Sequence, residues 1–163
     1  MLDLASRKGI AITAAIAAGI VGGSFLVWYV PQSSPGITDV PHTDAEIASD
    51  IYTRHLDLAS SIESDFSSWK NGTKSAEEMH RTVDAAIADT QQMQREIQRK
   101  PAAEWRESYD LYGQALDTFA EYLGKIRLAV EGGDASNQQE IDSLKTKWQD
   151  YVDQSVQAMP LAK

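Results

Sequence analysis

Residues 9–30 read GIAITAAIAAGIVGGSFLVWYV, an uncharged apolar run entered through Arg7-Lys8 and closed by Pro31. At about 1.5 Å of rise per residue, a helix of this length crosses the roughly 30 Å hydrocarbon core of a bilayer. A cleaved secretory leader fits less well. Its apolar stretch covers about 7–15 residues and ends on small side chains, whereas this run ends on Val27-Trp28-Tyr29-Val30. Cysteine is absent, so a lipoprotein-type attachment is excluded. A core helix of a soluble protein normally carries charge along one face, and this run carries none. The expectation is an uncleaved single transmembrane helix over 9–30.

Charge sets its direction. Arg7 and Lys8 precede the span directly, and the next Lys or Arg is Arg54. Basic residues stay on the cytoplasmic side, which predicts a cytoplasmic N-terminus (1–8) and an extracytoplasmic remainder. Trp28 and Tyr29 then fall at the outer interface. Within the span, Ala15, Gly19 and Gly23 recur every four residues, a spacing that lets helix backbones approach closely. The ladder predicts a membrane partner helix, from another protein or from a second copy in a homo-oligomer. The plainer alternative is that Gly and Ala are common in such helices.

Beyond residue 31 the chain is long enough for one domain with one core. The whole carries −9; removing Arg7, Lys8 and Asp3 leaves 13 basic (15 − 2) against 23 acidic (24 − 1) residues, or −10. So acidic a surface repels nucleic acid, which is not an expected partner. Without cysteine there are no disulfides, and stability rests on packing. Asn71-Gly72-Thr73 is an N-glycosylation sequon in a predicted turn on the external side.

The segment 31–42, PQSSPGITDVPH, carries three prolines and no apolar period, and reads as a Pro-rich stalk. Four amphipathic segments follow over 43–160. The first opens at Thr43 with Glu46 three residues on, a capping box. Its stripe is Ile47, Ile51, His55, Leu58, Ile62, Phe66 and Trp69, and Asn71-Gly72 ends it. The second opens at Ser75 with Glu78, and its stripe is Met79, Val83, Ala86, Thr90, Met93 and Ile97. Pro101 suits the first turn of a third helix, where a missing N–H is harmless.

That helix has the strongest period: Trp105, Tyr109, Tyr112, Leu116, Phe119, Leu123, Ile126 and Val130, spaced four and three in alternation. Gly132-Gly133 breaks it. Asp134 or Ser136 can cap a fourth helix carrying Ile141, Leu144, Trp148, Tyr151, Val152, Ser155 and Met159 ahead of Pro160. Similar lengths and short turns predict an all-α, antiparallel four-helix bundle, each helix about 35–45 Å long. Long hairpins pairing with another chain are the alternative.

Candidate chemistry is sparse. Glu77 and His80 have the Glu-x-x-His spacing of two-metal bundles, but such sites need a second pair and further glutamates; no metal or other cofactor is expected. His55 interrupts an apolar stripe. Aligned by height along the bundle, His55, Thr90, Tyr109 or Tyr112, and Tyr151 or Ser155 fall at one level, as a polar core layer or a small-ligand pocket. The aromatic stripe at seam spacing reads as core before it reads as a ligand cage. No serine–histidine–acid grouping, phosphate-binding glycine loop or activated nucleophile stands out, and the expectation is a non-enzyme.

Three stretches resemble uncharacterised single-pass membrane proteins of ammonia-oxidising archaea: Trp28-Tyr29-Val30-Pro31-Gln32-Ser33-Ser34-Pro35, Ile51-Tyr52-Thr53-Arg54-His55, and Glu104-Trp105-Arg106-Glu107-Ser108-Tyr109-Asp110-Leu111-Tyr112. The resemblance implies an archaeal envelope protein with no assigned reaction and no transferable site residues. It also implies an accessory role beside a large membrane enzyme such as the ammonia monooxygenase of those cells. The residues themselves point first to a membrane-tethered interaction or structural subunit. The alternative is an extracytoplasmic small-ligand sensor that, with only residues 1–8 inside, lacks its own output domain.

Overall fold

A computed structural model describes residues 43–133 and 137–160. The predicted anchor, with Ala15, Gly19 and Gly23, and the stalk lie outside the described residues, as do Asp134 and Ser136. Among the described residues all regular structure is helical: α1 (Asp44–Lys70), α2 (Ala76–Ile97), a 3₁₀ turn (Ala103–Trp105), α3 (Arg106–Gly132) and α4 (Gln138–Gln157). No described helix is long and apolar enough to cross a membrane.

Local chemistry fixes the helix starts. Glu46 N–H donates to Thr43 Oγ1 at 3.2 Å, and Thr43 N–H donates to the Glu46 carboxylate at 2.8 Å. Ser75 and Glu78 repeat the exchange at 3.2 and 2.9 Å, with the serine hydroxyl also donating to the carboxylate at 2.7 Å. Both predicted capping boxes are thus formed, satisfying amides that a helix start otherwise leaves open. Gly72 and Gly133 sit at φ 73° and 66°, the left-handed conformation that ends α1 and α3 at little cost in glycine. Asn137 stands at the head of α4 without a side-chain capping bond.

Pro101 lies ahead of the third helix rather than in its first turn. The Ala102 N–H donates to Asp44 Oδ2 at 2.8 Å, so the chain is held at α1 before the 3₁₀ turn begins at Ala103. The helices span 27, 22, 27 and 20 residues. At the standard rise these are about 40, 33, 40 and 30 Å, so α2 and α4 fall short of the expected length.

Surface contacts record antiparallel neighbours. Gln94 meets Asp117 and Asp84 meets Arg127, ten residues back along α2 matching ten forward along α3. Likewise Glu63 meets Lys145 and Lys70 meets Gln138, seven forward on α1 against seven back on α4. Arg54–Glu96 joins α1 to α2, and Lys125–Glu140 joins α3 to α4. The four helices thereby close a bundle within one chain.

The whole predicted stripe of α2 is buried, as are seven of the eight seam positions of α3; Trp105, at the 3₁₀ junction, is half-buried. On α1 the interior takes Ala48, Tyr52 and Ala59 beside Ile51, His55, Ile62 and Phe66, while Ile47, Leu58 and Trp69 are half-buried. α4 buries Ile141, Trp148, Val152 and Ser155 and leaves Leu144, Tyr151 and Met159 half-buried.

Candidate functional site

The predicted polar layer is present residue by residue but is not one cluster. Thr90 and Ser155 are fully buried, and each hydroxyl donates to a carbonyl of its own helix: Ala86 at 2.7 Å and Val152 at 2.7 Å. Such local bonds satisfy a short hydroxyl without any partner helix. Tyr109 reaches the start of α1, where its hydroxyl donates to the Asp44 carbonyl oxygen at 2.8 Å. Tyr151 is half-buried, with Lys147 Nζ 6.0 Å from its ring. Only His55 and Tyr112 meet.

Their contact is 2.9 Å between Nδ1 and the phenol oxygen, inside the core. Aromatic rings enclose the imidazole: Phe119 at 4.6 Å, Trp148 at 5.1 Å and Tyr112 at 5.7 Å between centroids. Loss of water drives the His55 pKa down to about 3 and raises that of Tyr112 well above its ordinary value. Both groups are therefore neutral at physiological pH. His55 Nε2 and the Trp148 indole nitrogen have no hydrogen-bond partner. A neutral imidazole walled in by rings is a weak base out of reach of solutes, and its evident effect is to fix α1 against α3.

At the Thr43 end, Asp44 serves two masters. Its carboxylate accepts from Ala102 N–H and its carbonyl from Tyr109, tying the start of α1 to the entry of α3. Burial first, and Asp44 second, push the Tyr109 pKa up to about 12, so the donor stays protonated. Glu77, which shares the Glu-x-x-His spacing with His80, is exposed and lies 4.0 Å from Arg81. His80 is half-buried.

A feature the sequence reading passed over lies on the outside of α3. Leu128, off the seam, is the exposed large hydrophobic residue among those described, at 52%. It borders an open groove of about 780 Å³ between α3 and α4, with Glu121, Gly124 and Lys125 on one side and Gln139, Glu140, Ser143 and Leu144 on the other. Gly113 and Gly124 lie three turns apart on α3, and a Cβ added at either would meet nothing within 4 Å. Glycine inside a helix costs about 1 kcal/mol relative to alanine, and packing within this chain does not require it here. The signal was available: two glycines eleven apart in an otherwise strong helix.

Comparison with known proteins leaves these features to speak for themselves, because no family model, curated protein or solved structure matches the chain.

Proposed function

We propose that the chain is a non-catalytic, membrane-anchored interaction subunit whose external bundle docks on a membrane protein complex. The apolar run over 9–30 supports the anchor, and the basic pair Arg7-Lys8 supports a cytoplasmic N-terminus. The observation that carries docking is the outer face of α3. There Leu128 stands in solvent beside Gly124, over a groove walled by α4. Gly113 and Gly124, both open and inside α3, suit the close approach of a partner helix better than they suit this chain alone. The archaeal resemblance extends the proposal to an accessory subunit of a large membrane enzyme such as ammonia monooxygenase.

The test is purification of the tagged full chain from native membranes under mild detergent, with mass spectrometry of what accompanies it. A defined membrane partner, lost with Leu128→Glu while the helical spectrum is kept, is the expected result. A chain that elutes alone and cross-links to nothing would refute the proposal.

A further inference from the structure

We propose that Asn71 is an acceptor for an N-linked glycan at the far end of the bundle, an inference that rests on the extracytoplasmic placement proposed above. The chain contains two asparagines, Asn71 and Asn137, and only Asn71 has a hydroxyl residue two positions on. The sequon needs the chain to leave regular structure, because an acceptor amide must enter a transferase with its backbone turned. Here α1 stops at Lys70, Asn71 is its C-cap at φ −86° and ψ 0°, and Gly72 turns the chain at φ 73°. Asn71, Gly72 and Thr73 are all exposed. The Thr73 hydroxyl donates to the Ser68 carbonyl at 2.9 Å, a surface bond that opens without disturbing the core.

Position also favours modification. The turn lies one full length of α1, about 40 Å at the helical rise, from Thr43. The buried side chains of α1 end at Phe66, so a bulky substituent at Asn71 displaces none of them.

The reaction takes its sugar from a lipid-linked oligosaccharide phosphate. The Asn71 Nδ2 forms a bond to the anomeric carbon as that carbon's bond to the phosphate oxygen breaks. The amide gives up one proton, and the lipid phosphate leaves with the bonding electron pair. No oxidant or reductant is involved. The glycan adds bulk and solubility at the tip and directs docking partners to the helix flanks.

The experiment translates the full chain in the presence of membranes that hold an oligosaccharyl transferase. A second sequon appended after Lys163 serves as a topology control. The expected result is one glycosidase-sensitive mass increment at Asn71 in addition to the control, lost in Asn71→Gln and in Thr73→Ala and kept in Thr73→Ser. Modification of the appended sequon with none at Asn71 overturns the site alone. Modification at neither position overturns the extracytoplasmic placement and the site with it.

Discussion

His55 Nδ1 lies 2.9 Å from the Tyr112 hydroxyl oxygen, a single polar bond running through the interior from α1 to α3. These helices are not sequential, and the rings of Phe119 and Trp148 pack on the imidazole at 4.6 and 5.1 Å between centroids. Breaking one side of a buried polar pair leaves the other without a partner, which costs about 1–3 kcal/mol, whereas replacing both is milder. Tyr112→Phe should therefore destabilise the bundle by roughly that amount. The double change with His55→Leu should lose less than the sum of the single changes in urea unfolding. Strict additivity would mean that the bond contributes no coupling.

The same histidine makes stability depend on pH. Its folded pKa is about 3, against an ordinary value of 6.5, because burial disfavours the charged form. The unfolded chain binds the proton more readily. The stabilisation is thus complete above pH 6.5 and falls as pH drops from there toward 3. For one proton the slope is about 1.4 kcal/mol per pH unit. Unfolding midpoints taken from pH 7.5 to pH 4 should decline more steeply in the native protein than in His55→Leu. Parallel declines would assign acid sensitivity to the carboxylates instead.

Much of this fold is legible in the amino-acid sequence. The starts at Thr43 and Ser75 depend on hydrogen bonds spanning three residues, so the letters alone carry them. The stripe of α2 is the simplest case, and all six positions are interior. α3 is harder because it packs between α2 and α4 while facing α1. Ser108, Ala115, Thr118, Tyr122 and Ala129 are buried beside the seam, a wider face than a two-helix period describes. The polar layer failed as a cluster for a different reason. Height along the bundle follows from counting residues, but the direction of a hydroxyl does not. Thr90 and Ser155 satisfied themselves locally, while the longer phenols of Tyr109 and Tyr112 crossed to α1. Pro101 was misplaced because a tertiary bond, Ala102 to Asp44, delays the helix.

The two capping boxes offer a local test. Replacing a capping Ser or Thr by Ala typically costs about 1 kcal/mol. Ser75→Ala should cost more than Thr43→Ala, because Ser75 both accepts from Glu78 N–H and donates to its carboxylate. That hydroxyl, followed by the Ser75 backbone amide, also holds the Glu78 carboxyl below its ordinary pKa. Thermal unfolding of the two variants side by side gives the order, and a larger loss for Thr43→Ala would contradict it.

The glycines of α3 separate folding from association. Alanine at Gly113 or Gly124 meets no neighbouring atom within 4 Å, and neither glycine has positive φ. Each Gly→Ala change should stabilise the bundle by about 0.5–1 kcal/mol through helix propensity and a less flexible unfolded chain. If a partner helix approaches α3 at Gly124, beside Leu128, the added methyl stands in its path. Gly124→Ala should then raise the melting temperature while lowering recovery of the partner from membranes. Gly113→Ala, outside the groove residues, should raise stability with a smaller loss of partner. A Gly124→Ala chain that is more stable and keeps its partner in full would move the docking surface elsewhere. Opposed effects of one methyl on stability and association would place the contact on this face, since a purely internal role for the glycine predicts both to change in the same direction.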